Sequence, residues 1–467
     1  MDKKTDNGKN IEDSKYPFNS LIVLSFILFL STKILTYFPK DWLAGNLYSW
    51  VYTDWLIDYS AGFVRRGLAG ELIFAASNFI QPYHFAVILS WSAFLVLVIG
   101  YLYLVLQNIR KIPPLYLIII LFLPSLLLFY MFDHSALGRK EMLGYPFLFI
   151  HLFLIKQQFN LSPTNKNSYI KFLPIITFLF LPLHILIHEA SLFLFIPIHI
   201  IMSWTVLNYN ENHYFYKKLS KLALMYSLVF ITFLIVFVLG RPELDVVQKI
   251  CTHWETLHAL NPGACQIENP NTMWTLPGAF TALAWNFSQA TSLSASLSIQ
   301  VTLIWLLIFL LFSLISIAYF GKLSTLLSSE IKDKQPTDQP SQAIHSTLIR
   351  LKYFLIPLLC SLPLYMLGWD FGRWFAVTSI NFAIIALSKE VGYMEAKTLP
   401  INNYFFNWLT RITNILTISR MKISRVTLSL FLFIILFYIR LPHCCISDNN
   451  FTFIAEPLKE ILQFMAK

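Results

Sequence analysis

The stretch HFAVILSWSAFLVLVIGYLYLVL, from His84 to Leu106, decides the fold because it contains no Asp, Glu, Lys or Arg. A helix rises about 1.5 Å per residue, so a run of this length crosses the roughly 30 Å of hydrocarbon in a bilayer. Similar runs recur along the chain, and they are continuous, unlike the alternating pattern of barrel strands. The sequence therefore predicts an all-α, polytopic integral membrane protein.

The composition supports this class, since 56% of the 467 residues are hydrophobic, 13% are charged and the mean hydropathy is +0.60. A soluble domain with a wetted surface does not have such a composition. We predict about 11 transmembrane helices in a single domain. They are Leu21–Phe38, His84–Leu106, Leu115–Phe132, Met142–Ile155, Phe172–Ile187, Ser191–Leu207, Leu222–Gly240, Ile299–Phe320, Tyr353–Leu367, Trp374–Leu387 and Val426–Ile439.

The positions of lysine and arginine predict the orientation, because these residues accumulate in cytoplasmic loops. They concentrate in alternate loops, starting with the amino-terminal tail. The formal charge of +10 then reflects contact with an anionic inner leaflet, and nucleic acid is not expected as a partner. The predicted segments are a cytoplasmic tail (1–20), a membrane domain (21–439), periplasmic loops (39–83 and 241–298), a cytoplasmic linker (321–352), a cytoplasmic loop (388–425) and a periplasmic tail (440–467).

The first outer loop contains the segment DWLIDYSAGFVRRGLAGE, from Asp54 to Glu71, which is dense in charge and glycine. If the segment is helical, Asp54 and Asp58 project from one face toward a common partner. One carboxylate would act as a general base, and Arg65 and Arg66 would bind a phosphate or pyrophosphate leaving group. The glycines would allow close backbone approach. The alternative is an interfacial loop whose Asp and Arg side chains pair with each other.

Two further outer turns combine charges near the membrane. Asp133 and Arg139 lie in one of them, where they are either an acid with a phosphate-binding arginine or the charged ends of two helices. His188 and Glu189 form the other, very short turn. A buried Glu beside a His can relay a proton, and an interhelical hydrogen bond is the alternative.

A late turn repeats the combination of acid, glycine and arginine between aromatic residues, in the segment WDFGRW. Arg373 would reach a phosphate while the aromatic rings stack on a sugar face. An Asp370–Arg373 ion pair that closes the helix turn is the alternative. In the long outer loop, Cys251 and Cys265 form either a disulfide bond or two free thiols. No His or Cys pair has metal-site spacing, so no metal ligands are predicted.

The acidic, arginine-containing first outer loop, the many spans and the large loop after the seventh span resemble the GT-C superfamily of membrane glycosyltransferases. The resemblance implies a catalytic acid in the first loop, at Asp54 or Asp58, and a polyprenyl-phosphate-linked sugar donor. The chain is also similar in outline to the Wzy-like polymerases of O-antigen and capsule. That similarity implies phosphate-binding roles for outer-loop arginines, here Arg65, Arg66, Arg139, Arg241 and Arg373.

The predicted function is therefore transfer or joining of undecaprenyl-linked sugars at the periplasmic face of a bacterial inner membrane. The lipid bilayer and polysaccharide assembly proteins are the expected partners, and no cofactor is required, although related enzymes can use a divalent cation. Two alternatives remain: a flippase for lipid-linked oligosaccharides, and an acyltransferase that uses His188 with Glu189 or His134 with Asp133. The predicted site residues are Asp58, Asp54, Asp133 and Glu189 as catalytic groups, and Arg65, Arg66, Arg139, Arg373, His188 and Asp370 as binding groups.

Overall fold

The computed structural model describes residues 7–44, 50–160, 173, 175–210, 215–240, 244–256, 299–332, 351–367, 370–398 and 441. Within these residues all regular structure is helical. The α-helices are α1 (Asn7–Ala44), α2 (Trp50–Thr53), α3 (Gly67–Ala75), α4 (Pro82–Asn108), α5 (Pro114–Phe122), α6 (Leu127–Phe132), α7 (His134–Leu137), α8 (Gly144–Asn160), α9 (Leu181–Ile187), α10 (Ser191–Leu194), α11 (Ile196–Asn210), α12 (Phe215–Leu239), α13 (Leu244–Thr256), α14 (Ile299–Lys332), α15 (Ile356–Leu367), α16 (Phe371–Leu387) and α17 (Lys389–Thr398). Short 3₁₀ turns cover Asp54–Leu56 and Lys140–Leu143, and π-helical turns cover Ile175–Phe180 and Leu351–Leu355.

Among the described residues, four helical stretches are long and apolar enough to cross a membrane: Pro17–Leu43, Pro82–Asn108, Ser191–Tyr209 and Phe215–Leu239. The prediction of an all-helical membrane protein is confirmed at this level. Shorter apolar helices coincide with further predicted spans, and they are Ile175–Ile187, Phe309–Ser324, Tyr353–Tyr365 and Phe371–Leu387. The predicted span Val426–Ile439, the periplasmic tail and most of the loops 241–298, 321–352 and 388–425 lie outside the described residues.

The predicted span Leu115–Phe132 is not one continuous helix. It divides into α5 and α6, and Leu123 between them has an extended backbone. Pro124 explains the break, because proline lacks an N–H group and excludes the helical conformation at the preceding residue. Leu123 and Ser125 are fully buried in protein, which is where non-helical backbone at membrane depth is tolerated.

Asparagine side chains join three helices at one end of the structure. Asn19 of α1 donates to the carbonyl oxygens of Ile109 and Ile112 beyond α4, at 2.8 and 2.9 Å. Asn108 donates to the carbonyl oxygen of Leu387, the last residue of α16, at 3.2 Å. The opposite end of these helices is therefore formed by the end of α1 and the starts of α4 and α16. The charged turns that the sequence singles out lie at that opposite end.

Helix α13 follows α12 directly and begins the segment predicted as a long outer loop. One face of α13 is buried at helical spacing, through Val247, Ile250, Cys251 and Trp254. Cys251 is disulfide-bonded, and its partner lies outside the described residues because the only other described cysteine is free. Trp254 on this face donates to Asp58, which joins α13 to the segment that follows α2.

Candidate functional site

Four turns from distant parts of the chain meet in a group of mostly buried charged side chains, here named the ion cluster. The turns are the segment around residues 54–66, the turn 139–141, the turn 188–189 and the start of α16. Their contacts are ion pairs at hydrogen-bonding distance and charge interactions over somewhat longer range. The members of the ion cluster are Asp54, Arg66, Arg139, Lys140, Glu141, His188, Glu189, Asp370 and Arg373.

Arg66 joins two carboxylates from different parts of the chain. Its Nη2 lies 2.8 Å from Glu189 Oε1 and its Nε lies 2.9 Å from Glu189 Oε2, while its Nη1 lies 3.2 Å from Asp54 Oδ1. Lys140 Nζ donates to the Arg66 carbonyl oxygen at 2.9 Å. The backbone of Arg66 is left-handed, with φ of 66°, immediately before α3 begins at Gly67. This conformation is energetically unfavourable for a residue other than glycine, and residues held in it concentrate at functional sites.

A second set of contacts is centred on Glu141. Arg373 Nη1 lies 3.0 Å from Glu141 Oε1, and His188 Nε2 lies 3.1 Å from Glu141 Oε2. Because the backbone N–H of Ala190 donates to His188 Nδ1 at 3.2 Å, the proton of the neutral ring is on Nε2 and points at Glu141. Arg373 also pairs with Asp370, which is the ion-pair alternative for that turn.

The expected proton relay between His188 and Glu189 is wrong in this structure. The two neighbouring side chains point to different partners, since His188 binds Glu141 while Glu189 binds Arg66. Consecutive residues in a tight turn project in different directions, which explains the separation. Asp133 has a local role in addition: its Oδ1 accepts from the backbone N–H of Ala136 at 3.3 Å and caps α7.

Neighbouring cations decide the ionisation of the buried carboxylates. Burial alone would raise the pKa of Asp54, but the charges of Lys140 and Arg66 outweigh it and lower that pKa. Burial would also raise the pKa of Glu141, but Arg373 and His188 outweigh it and hold this pKa at about 2. The pKa of Glu189 is lowered against its burial, mainly by Arg66. Asp54, Glu141 and Glu189 are therefore ionised at neutral pH.

Burial has the opposite effect on the cations, whose pKa values it lowers. Lys140 is fully buried, and this lowers its pKa to about 8 although Asp54 favours the charged form. Burial also lowers the pKa of Arg139, and the nearby charge of Arg373 adds to the effect. Arg65 reaches the same region, because its charge acts on Glu189. The four arginine and lysine side chains of the ion cluster, with Arg65 beside them, thus face its four carboxylates.

Asp54 and Asp58 do not share a partner, so the prediction of one common face is wrong. The 3₁₀ turn ends at Leu56, and Asp58 lies beyond it in non-helical backbone. Asp58 Oδ1 accepts from the backbone N–H of Ser60 at 2.9 Å. Its Oδ2 lies 3.1 Å from His253 Nδ1 and accepts from Trp254 Nε1 at 3.2 Å. Asp58 therefore belongs to a different site from Asp54.

This second site is an open depression of about 450 Å³, here named the Asp58 depression. The ring of Tyr59 in its wall lies against Gly67, where an added Cβ atom would be 2.2 Å from the ring. Because Arg66 precedes Gly67, this contact makes the depression a neighbour of the ion cluster. The lining residues are Asp58, Tyr59, Ser60, Glu71, Phe74, Ala75, Ser77 and His253.

Glycine allows the close packing that builds both sites, as predicted for the first loop. The backbone N–H of Gly70 donates to the carbonyl oxygen of Ile57 at 3.1 Å. A Cβ atom on Gly70 would lie 2.1 Å from that oxygen, which no real contact allows. The Arg65 backbone N–H donates to Gly240 at 3.0 Å and ties the same loop to the end of α12. Arg241, the next predicted arginine, lies outside the described residues.

The profile of a protein family described as "Uncharacterised membrane protein Rv1490" matches residues 21–400. The chain belongs to this family. No curated protein and no solved structure gave a significant match. The matched region contains every residue of the ion cluster and of the Asp58 depression, so both sites lie within the part of the chain that defines the family.

Several residues of these sites were missed by sequence reasoning. Lys140 and Glu141 directly follow Arg139 in the sequence, and this position next to a predicted site residue is a signal that could have identified them. His253 and Trp254 were hidden in the segment interpreted as a loop. The helical spacing of apolar residues in α13 would have predicted a helix there and placed Trp254 on its buried face.

Histidines within the helices bind each other or neighbouring hydroxyl groups. His151 Nδ1 and His199 Nδ1 are 2.8 Å apart, and His184 Nε2 lies 3.0 Å from the hydroxyl group of Ser191. These three histidines are fully buried and are therefore hydrogen-bonded packing residues. Within the described residues, no group of three or more His, Cys, Asp and Glu side chains is arranged to hold a metal ion.

Proposed function

We propose that this protein is a membrane-embedded glycosyltransferase or polymerase that transfers undecaprenyl-linked sugars or repeat units at the periplasmic face. The observation that carries the proposal is the position of the ion cluster beside the Asp58 depression. A set of guanidinium groups suited to phosphate thus neighbours an open surface of carboxylates, hydroxyls and aromatic rings suited to sugars.

The contact between Arg66 and Glu189 supports a phosphate-binding role. Arg66 holds the carboxylate with two parallel donors, which is the geometry that guanidinium also uses for phosphate. The side chains of Glu189 and Asp370 are 20% and 26% exposed, more than the other acids of the cluster. A phosphate that enters from outside would meet these two acids first and exchange with one of them for its arginine.

Such an exchange would serve group transfer directly. When the bond between the sugar and the phosphate breaks, negative charge develops on the departing polyprenyl phosphate or pyrophosphate. Preorganised cations at that position stabilise the charge without reorganisation, an effect often worth several kcal/mol. Arg66, Arg139 and Arg373 would supply this stabilisation, with no nucleotide required. A divalent cation can assist and would be detected by loss of activity with a chelator.

The finer topology belongs to the same proposal: about eleven spans in a GT-C-like arrangement, a cytoplasmic amino terminus and a location in the inner membrane. Its support is that the turns assigned to the outer side, by the alternation of lysine- and arginine-rich loops along the chain, meet at one end of the helices. Charges near one membrane face favour chemistry there, whereas alternating access by a transporter predicts charged sites near the midplane.

The test is transfer of a radiolabelled sugar from undecaprenyl diphosphate to an acceptor glycan by the full-length protein in liposomes. Arg66→Ala should abolish most of the product, and Arg110→Ala is the matched control because Arg110 is exposed at the other end of α4. Translocation of the labelled lipid without a glycosidic product would instead identify a flippase. Consumption of an acyl donor would identify an acyltransferase, and either result would overturn the proposal.

A further inference from the structure

The hydrogen bonds of Asp58 leave it poorly suited to take a proton from a substrate. Its side chain is 1% exposed, and its two oxygens contact Ser60, His253 and Trp254. The N–H groups of Ser60 and Trp254 can only donate, so the carboxylate acts as the acceptor in this network. An incoming hydroxyl group would have to displace one of these contacts to reach Asp58.

The side chain of His253 is more accessible from the depression than that of Asp58. Its side chain is 34% exposed and lines the Asp58 depression. Since Asp58 acts as an acceptor, His253 Nδ1 carries the proton of their 3.1 Å hydrogen bond, which leaves the lone pair of Nε2 available. The Phe74 ring packs against the imidazole, with 5.4 Å between ring centroids, and the adjacent Trp254 is fully buried. The orientation of His253 is therefore fixed by α13 and by Asp58.

We infer that His253 is the general base of the transfer reaction and that Asp58 is the residue that positions it, an inference that rests on the proposed function. The acceptor hydroxyl group gives its proton to His253 Nε2. Its oxygen forms a bond to the anomeric carbon of the donor sugar, and the bond from that carbon to the carrier phosphate breaks. The electron pair leaves with the polyprenyl phosphate or pyrophosphate, beside the arginines of the ion cluster.

The lining of the depression indicates the class of acceptor. Asp58 and Glu71 are acidic, Tyr59 and Phe74 present aromatic rings, and Ser60 offers a hydroxyl group. None of its lining residues within the described chain is lysine or arginine. Carboxylates beside aromatic faces suit uncharged sugar hydroxyl groups and repel uronic acids or phosphorylated sugars. The depression is therefore assigned to a neutral glycan acceptor.

The experiment is sugar transfer by the full-length protein in liposomes, with His253→Ala measured with and without added imidazole. We expect His253→Ala to lower kcat by about 10² to 10⁴, with little change in KM for the lipid-linked donor. Imidazole should restore a measurable part of the rate, because the exposed position leaves room for it. Lys249→Ala is the control, since Lys249 is exposed on the same helix and pairs only locally with Asp245.

The outcomes separate the two proposals. Transfer by the wild type that is unchanged in His253→Ala, or lost without rescue by imidazole, would overturn the role of His253 and leave the transferase intact. If His253→Ala does not fold, His253→Asn replaces it, because asparagine can still donate to Asp58 but cannot accept the proton; full activity of that variant overturns the inference. Absence of transfer by the wild type would overturn both proposals.

Discussion

The ion cluster and the Asp58 depression lie side by side but differ in charge and in access. In the ion cluster, arginines and a lysine meet carboxylates in mutual ion pairs, and most side chains are buried. In the depression, an acid and a histidine face an open surface lined by aromatic and hydroxyl groups. A cation-rich, preorganised site suits an anionic leaving group, whereas an acidic, open one suits a neutral acceptor. Under the proposed function, the two halves of the reaction would take place in these two neighbouring sites.

The largest difference between the two sites is expected when asparagine replaces Asp58 in the depression or Asp54 in the ion cluster. Asp58→Asn removes the negative charge and replaces one acceptor oxygen by an NH2 donor, so the contacts with Ser60, His253 and Trp254 cannot all form. With His253 less well oriented, kcat should fall by about 10² or more while KM for the donor stays nearly constant. Asp54→Asn weakens the hold on Arg66, so its main effect should be on KM for the lipid-linked donor. Steady-state kinetics in liposomes measure both. Equal effects of the two variants on kcat would contradict a division of labour.

The contact between Gly70 and Ile57 tests whether both sites depend on one backbone arrangement. Gly70→Ala places a Cβ atom against the Ile57 carbonyl oxygen and should push the segment with both acids away from α3. We expect at least a tenfold loss of activity together with a lower melting temperature. Gly100→Ala is the matched control, because its Cβ atom would lie 2.5 Å from the Phe149 ring, and neither residue belongs to the two sites. Similar activity losses in both variants would show a general packing defect.

Acid should weaken the ion cluster. The folded-state pKa of Glu141 is about 2, below its ordinary 4.5, so its contribution to stability is complete above pH 4.5 and is lost as the pH falls toward 2. Asp54 and Glu189, whose pKa values are also lowered, act in the same direction. Melting temperatures in detergent should therefore fall across this range. In Glu141→Gln the fall should be shallower, and an unchanged slope would contradict the ion-pair assignment.

The pH dependence of Lys140 has the opposite sign. Burial lowers its folded-state pKa to about 8 from 10.5, so the unfolded chain binds more protons between these values. The cost of burying the charge is therefore present below pH 8 and disappears as the pH rises to 10.5. Lys140→Met should be less sensitive to pH in this interval than the wild type. Melting curves at pH 7, 8 and 9 would show the difference.

The sequence predicted the helical membrane class and the turns that carry charge, because apolar run length and charge cost in a membrane are local properties. The sequence did not predict side-chain contacts between residues that only the fold brings together. Asp54 and Asp58 are four residues apart, yet a turn ending at Leu56 sends them to different sites. The partner of Asp58, His253, is almost two hundred residues away, and no spacing rule connects such positions.

The smallest expected effect concerns the left-handed backbone of Arg66. Two substitutions at this position separate the role of its guanidinium group from the cost of its backbone conformation. Arg66→Ala and Arg66→Gly both remove the guanidinium group, so both should lose donor binding. Only glycine adopts a left-handed backbone without cost, so Arg66→Gly should be more stable than Arg66→Ala by about 1 kcal/mol. Urea or thermal unfolding in detergent can resolve that difference. Equal stability of the two variants would mean that the turn before α3 relaxes once the side chain is gone, and that the ion pairs to Asp54 and Glu189 are what hold the backbone in its left-handed conformation.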